Sequence, residues 1–364
     1  ELKKTFLASG QSHPEGEASE EEGKESDSVL LTRGTRDLVI YGLTMNFLLW
    51  VAIVIGFLAG AGDNAETLVI ALAERVNVDR FIESTMSAGP LAAGFLAAGI
   101  VLAGLALFSL LSVAGALFRY HGYRLVRRGE TYSRSSGMLT RHEESIKQHK
   151  IQTVVLRQNL IARIFDRFNM QLRVASAGKA GEGGSSPVGS RAAFALPALH
   201  PPEADAFCAE FLPRCELKAA EFTRPNRKRL TRVVLFWTAL IAVLPTFSTG
   251  LVIDKRFLAL LPLALLLAWI LSGMFWRRSG FSVVGDYGFI RRGVLGTVTT
   301  VFPLFKIQRI DIYQTPGLRR LGLATFHVHL ASHSLTVYCV DEAEARRFRD
   351  LALYHAESSK KTWF

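Results

Sequence analysis

Three histidines near the C-terminal end of the sequence have the spacing best suited to binding a metal ion. His327 and His329 stand two positions apart in an alternating segment, and His333 follows shortly after them. Residues at i and i+2 of a strand point to the same side, so both imidazoles could reach one ion. That side is also the polar one, and no carboxylate follows before Asp341. We therefore treat the three histidines as a weak candidate and expect a solvated strand face without a metal.

Residues that would carry out catalysis do not occur in a supporting context. The glycine-rich segment 181–184 does not join a strand to a helix, as a phosphate-binding loop would. No serine-centred elbow or Cys/His pair is recognisable. The central stretches of the apolar runs contain no charged residue or histidine, which ion-coupled transport usually requires. We predict that the protein is not an enzyme and uses no cofactor.

Basic residues are the remaining chemical signal, and they give a formal net charge of +11. No nucleic-acid-binding motif accompanies them, so nucleic acid is not an expected partner. Many adjoin apolar runs, where each could add ~1 kcal/mol of attraction to an anionic leaflet or simply set the membrane topology. The candidate lipid- or partner-binding residues are Arg127, Arg128, Lys150, Arg227, Lys228, Arg229, Arg291, Arg292 and Lys306.

Two of these lysines belong to an internal repeat. Segments 137–176 and 293–332 align without a gap, and about nine of the forty positions are identical, several times the chance level. Lys150-Ile151-Gln152 matches Lys306-Ile307-Gln308, and both copies contain period-two apolar alternation typical of a half-buried strand. We infer two copies of one β-rich module. Lys150 and Lys306 then occupy one structural position, where each either pairs with a carboxylate or faces a ligand or partner.

Four apolar runs, two before each module, must position these residues. Runs of about 20 residues cross a hydrocarbon core of about 30 Å, which predicts four transmembrane helices in two hairpins. Basic residues follow the second and fourth runs and precede the first and third, so both modules are expected on the cytoplasmic side. The spans are Leu38–Gly60, Gly89–Phe118, Val233–Val252 and Phe257–Phe275.

The resulting organisation alternates membrane hairpins with water-exposed modules in an α+β membrane protein. The predicted units are an acidic flexible segment (1–37), a first hairpin (38–118), a first module (119–217), a basic linker (218–229), a second hairpin (230–276), a second module (277–357) and a C-terminal tail (358–364).

This arrangement resembles the bacterial pleckstrin-homology-like membrane proteins of the YdbS/YdbT type. The resemblance rests on residues matched between the repeats and covers most of residues 30–357. It implies that each module is a PH-like β-barrel or sandwich with a C-terminal helix. Larger family members look like three such units, so this chain resembles the last two, with Glu1–Ser9 as a remnant of the first. The matched residues are Gly129 and Gly285, Arg134 with Gly137 and Arg292 with Gly293, the two Lys-Ile-Gln triplets, Gln158 and Gln314, Arg163 and Arg319, and the two Ala-Ser pairs.

Two functions fit these features. The first is a non-enzymatic scaffold in the bacterial inner membrane, whose cytoplasmic modules bind anionic lipid or a companion PH-like membrane protein. The alternative is a component of a transport, export or envelope-stress resistance system for small amphiphiles, which predicts a polar cavity between the four helices.

Overall fold

The computed structural model describes residues 28–44, 90–174, 193–228 and 261–359, together with residues 232, 235, 236 and 240. Most of the first and third predicted spans, the segment before Ser28, the glycine-rich loop and Arg229 lie outside these residues.

The first module contains two layers of antiparallel strands and a closing helix. Apolar side chains at alternate strand positions form its core, which includes Tyr132, Val154 and Leu172. The closing helix covers this core with Phe207 and Phe211. The elements are β2 (Arg124–Arg128), β3 (Thr131–Ser136), β4 (His142–Lys147), β5 (Ile151–Gln158), α3 (Leu160–Ile164), β6 (Phe168–Val174), β7 (Ala193–Leu199) and α4 (Pro201–Phe211).

The second module repeats this order around a core of its own. Phe326, Val328 and Leu330 are buried while His327 and His329 are half-exposed, which confirms the predicted alternation. The elements are β8 (Gly280–Val284), β9 (Tyr287–Arg292), β10 (Thr297–Pro303), β11 (Ile307–Tyr313), α6 (Pro316–Arg319), β12 (Leu323–Leu330), β13 (Ser334–Asp341) and α7 (Glu342–Ser358).

Glycines at matched positions make the same turns in both modules. Gly129 and Gly285 have φ of 55° between paired strands, a left-handed conformation that costs glycine little. At Gly137 and Gly293, a Cβ would lie 2.0 Å and 1.9 Å from the carbonyl oxygen three residues later. The repeat therefore preserves backbone geometry as well as apolar side chains.

The strands form three sheets, one of which spans both modules. The order in the first is β1-β2-β3-β4, where β1 is Ser28–Thr32. The second has the order β7-β6-β5-β10-β9-β8, and the third β11-β12-β13. These sheets confirm a mixed α+β protein and are consistent with PH-like modules.

The N-terminal boundary differs from the prediction that residues 1–37 are flexible. Strand β1 pairs with β2, from Ser28 opposite Arg127 to Thr32 opposite Arg124. The buried Arg33 then donates to Glu203 at 2.5 Å and to the carbonyl oxygen of Pro197 at 3.1 Å. Residues from Ser28 onwards belong to the first module because these hydrogen bonds attach them to its sheet and to α4.

Three of the described helices lie next to the modules and are rich in apolar residues. They are α1 (Thr35–Thr44), α2 (Pro90–Tyr120) and α5 (Leu261–Arg278). Helix α2 and the first half of α5 are largely exposed, whereas α1 is mostly buried or half-buried. Within the described residues, one helical stretch, Leu102–Tyr120, is long and apolar enough to cross a membrane. The four-helix arrangement therefore remains a prediction. At Gly42, a Cβ would lie 2.6 Å from the Cα of Val113, so α1 and α2 approach very closely.

Candidate functional site

The joint between the two modules is an edge-to-edge strand pairing. Strand β10 pairs with β9 of its own module and with β5 of the first module, where Val301 lies opposite Val154. Both valines are fully buried. Phe289 and Val301 of the second module belong to the core of the first. The modules are thus joined by backbone hydrogen bonds and by shared apolar packing.

Lys306 adds a polar contact to this joint. It ends a short 3₁₀ turn after β10, and its side chain is 5% exposed. Its Nζ donates to the carbonyl oxygens of His149 at 2.6 Å and Ile151 at 2.7 Å, both in the first module. Burial lowers the pKa of Lys306 to about 8. The ammonium group therefore binds backbone oxygens of the neighbouring module, and no carboxylate among the described residues forms a salt bridge with it.

The equivalent surface of the first module is open. Lys150 ends the matching 3₁₀ turn and is exposed. Among the described strands, β4, the equivalent of β10, pairs with β3 alone. The polar sequence of 142–150 shows no apolar alternation, yet six of these residues form an edge strand. This is the site element that hydrophobic alternation did not reveal.

Arg127 and Arg128 lie at the far end of β2 from helix α2. Arg127 donates to Glu210 at 2.6 Å and to the carbonyl oxygen of Gly129 at 2.9 Å, while Arg128 is exposed. Five residues of a strand extend about 16 Å. These arginines, like Lys150 and Lys306, are therefore remote from the end of the modules that adjoins the membrane helices.

The other predicted basic residues lie near the end of α5. The guanidinium of Arg227 lies 5.1 Å from the ring centroid of Trp276, and that of Arg291 lies 4.1 Å from the ring centroid of Phe222. Lys228 is exposed, and Arg292 follows in the same strand as Arg291. The structure thus separates the eight predicted residues that it describes between two ends of the modules instead of bringing them together.

The histidines form no common site. The rings of His327 and His329 are 6.4 Å apart, on the same side of β12. His329 Nε2 lies 3.1 Å from Asp311 Oδ2, so a carboxylate is nearer than the sequence spacing indicated. His333 contacts Ser332 at 2.9 Å instead. Within the described part of the chain, no group of three His, Cys, Asp or Glu side chains is placed to hold a metal ion.

Comparison with known proteins agrees with this duplicated architecture. A model of the bacterial PH domain family matches twice, over residues 47–214 and 209–356. The UPF0699 transmembrane protein YdbT of Bacillus subtilis is 23% identical over 243 residues, which are 65% of this chain and 47% of that protein. The chain thus spans about half the length of this relative. No solved structure matches. Two successive matches to one family model, on two modules with the same strand order, show that the chain belongs to the bacterial PH domain family.

Proposed function

We propose that this protein is a non-enzymatic platform in the bacterial inner membrane that binds a companion PH-like membrane protein through β4 and Lys150. The observation that carries the proposal is the joint within the chain. There, β10 and Lys306 bind β5 and the turn before it. The first module presents the equivalent strand and the equivalent lysine without a described partner. A unit resembling the first module would fit this surface in the same way.

The charges of β4 specify the partner further. In the joint, Thr300 of β10 pairs with Val155 of β5. In the repeat, Glu144 of β4 is the equivalent of Thr300. The second module has Asp311 where β5 has Val155. A second copy of this chain would therefore bring Asp311 opposite Glu144, and like charges directly opposite one another destabilise a strand pair. The expected partner is a different PH-like protein with a neutral or basic residue at that position.

The position of Lys150 favours a protein partner over a lipid surface. Strand β4 runs antiparallel to β3, and its first residue, His142, pairs with Ser136 near helix α2. Lys150 follows the other end of β4 and is therefore remote from that helix. Arg227 and Lys228 lie instead in the basic linker that precedes the second hairpin. These two residues are the proposed contacts with an anionic cytoplasmic leaflet, each worth ~1 kcal/mol.

A photo-crosslinking amino acid at Ser145 of the full-length protein tests the partner in intact membranes. Ser145 is exposed on β4, so we expect an adduct that mass spectrometry identifies as a PH-like membrane protein. Lys150→Glu should reduce its yield about fivefold, the effect of ~1 kcal/mol.

Lys228→Glu is the matched control, because Lys228 is equally exposed but lies at the other end of the modules. It should leave the yield unchanged. Adducts with another copy of this chain alone, or adducts that do not respond to Lys150→Glu, would contradict the proposal.

A further inference from the structure

Three arginines from both modules lie on one face of the shared sheet. Val298 of β10 has Arg157 of β5 on one side and Arg292 of β9 on the other. Directly paired residues share a face of a sheet, so these two arginines stand two strands apart, at about 10 Å. Arg173 of β6 lies opposite Thr153, which shares the face of Arg157 because the two are four positions apart in one strand.

The turn between β12 and β13 of the second module lies near this face. His333 lies in that turn. Its pKa is lowered to about 4, first by burial and then by the positive charges of the three arginines, which we call the arginine cluster. The turn and the three arginines therefore lie close together where the two modules meet, and we call this place the recess.

Among the described residues, the arginine cluster has no acidic partner. None of the three arginines forms a salt bridge within the described residues, and the pKa of Arg173 is lowered by burial and then by repulsion from Arg157 and Arg292. Burial also lowers the pKa of Arg157. Holding like charges together in a partly desolvated recess costs free energy unless an anion joins them.

Unsatisfied donors mark the same place. The Nε atoms of Arg157 and Arg173 and the Oγ1 of Thr153 are buried, and none of them has a hydrogen-bond partner in the described part of the chain. Thr153 is fully buried. Buried polar groups almost always have a partner, and those that lack one point to an ion or water. Here three such atoms occur on one face, and two of them belong to guanidinium groups of the arginine cluster.

The recess extends toward the membrane. Arg157 is followed closely by Asn159, which donates to the carbonyl oxygen of Thr44 at 2.7 Å. Asn169, opposite Arg157, donates to Thr44 Oγ1 at 2.9 Å. Because Thr44 lies within the first predicted span, this end of the recess is the one nearest the lipid head groups.

We propose that Arg157, Arg173 and Arg292 form a binding site for a phosphate group in the recess between the two modules, with Thr153 as a further donor. Guanidinium groups offer paired N–H donors that match the geometry of phosphate oxygens. The phosphate belongs to a membrane phospholipid or is free in solution. The site uses a different face from β4 and does not depend on a protein partner.

The first experiment measures thermal unfolding of the full-length protein, stripped of lipid in detergent, with inorganic phosphate or with chloride at equal ionic strength. We expect phosphate to raise the unfolding temperature of the wild type. In Arg173→Gln, the concentration needed for half of this rise should increase about tenfold, because one charged donor pair is lost. Arg128→Gln, which removes an equal charge from an exposed position, should respond as the wild type does.

The second experiment distinguishes the source of the phosphate. The protein is reconstituted with phosphatidylglycerol, released gently and weighed by native mass spectrometry. One retained phospholipid per chain in the wild type, absent in Arg173→Gln, assigns the site to a lipid head group. A response to inorganic phosphate without a retained lipid assigns it to a soluble phosphate compound.

Stability without ligand separates binding from a structural role. Removing one of three repelling charges should leave Arg173→Gln at least as stable as the wild type in chloride. A less stable variant would show that Arg173 supports the fold. That result, or responses to phosphate and lipid that do not differ between the wild type and Arg173→Gln, would overturn the proposal.

Discussion

Lys306 shows how one repeated residue acquires different surroundings in the two modules. Its counterpart Lys150 has the same neighbours in sequence, yet one side chain is buried in the joint and the other is exposed. The repeat predicted their common structural position. It gave no indication that the two modules contact one another, because both lysines precede the same Ile-Gln pair.

We expect Lys306→Met to lower the free energy of unfolding by about 1–3 kcal/mol, because the carbonyl oxygens of His149 and Ile151 lose their N–H donor. Thermal unfolding of the full-length protein measures this. The matched variant Lys150→Met should change the free energy by less than about 0.5 kcal/mol, as exposed substitutions usually do. Equal losses in both variants would contradict a special role for Lys306.

The difference in stability between the wild type and Lys306→Met should also depend on pH, and this dependence tests the lowered pKa of Lys306. The pKa of Lys306 is about 8 in the folded protein against an ordinary value of 10.5. Between these values the unfolded chain holds a proton that the folded chain has lost, so this residue makes the stability rise with pH. The advantage of the wild type over Lys306→Met should therefore grow as the pH increases from 8 towards 10. A shrinking advantage would show that the charged form is the stabilising one.

At the scale of elements, periodicity predicted much of each module but not the pairing between them. The alternation at Phe326, Val328 and Leu330 identified β12. Helix α4 begins at Pro201, a residue suited to the first helical turn, and α7 begins directly after Asp341. Asp341 makes no side-chain capping bond, however, and α7 is attached through Glu342, which accepts from Gln314 at 2.7 Å.

Strand partners were harder to predict because alternation identifies a buried face and leaves the edges undefined. One face of β10 packs in the core of the first module, and the other packs in the core of the second. The sequence pattern cannot distinguish this arrangement from a strand whose two faces are both buried within one module. Strand β4 has five exposed residues of six. It forms because β3 offers it a complete ladder of backbone hydrogen bonds.

The matched turns give a prediction at this scale. Gly137→Ala and Gly293→Ala should each lower the free energy of unfolding by about 2–4 kcal/mol, because the new Cβ meets a carbonyl oxygen 2.0 Å or 1.9 Å away. Chemical denaturation of the full-length protein measures both. Gly273→Ala is the control: it lies within helix α5 with nothing described within 4 Å, and a gain of up to about 1 kcal/mol is expected. Tolerance of alanine at both turn positions would contradict this geometry.

At the scale of the whole molecule, the shared sheet constrains membrane topology. Strands β5 and β10 are hydrogen-bonded directly, so a bilayer cannot pass between the modules. We expect reporter domains inserted within 175–192 and fused after residue 359 to lie on the same side, and the basic flanks favour the cytoplasm. Green fluorescent protein and alkaline phosphatase at each position measure this. Opposite activities at the two positions would be incompatible with the shared sheet.

The joint between β5 and β10 also gives the chain a direction. Two unlike edges meet there, so the relation between the modules is head-to-tail and does not close on itself as a two-fold contact does. The two outer edge strands of the joined modules consequently differ in charge. Strand β4 of the first module carries Glu143 and Glu144, and β11 of the second carries Arg309 and Asp311. Further modules could be added to this pair one at a time, each through the same head-to-tail interface, to form a row. Substitutions at its two terminal strands then decide where it stops.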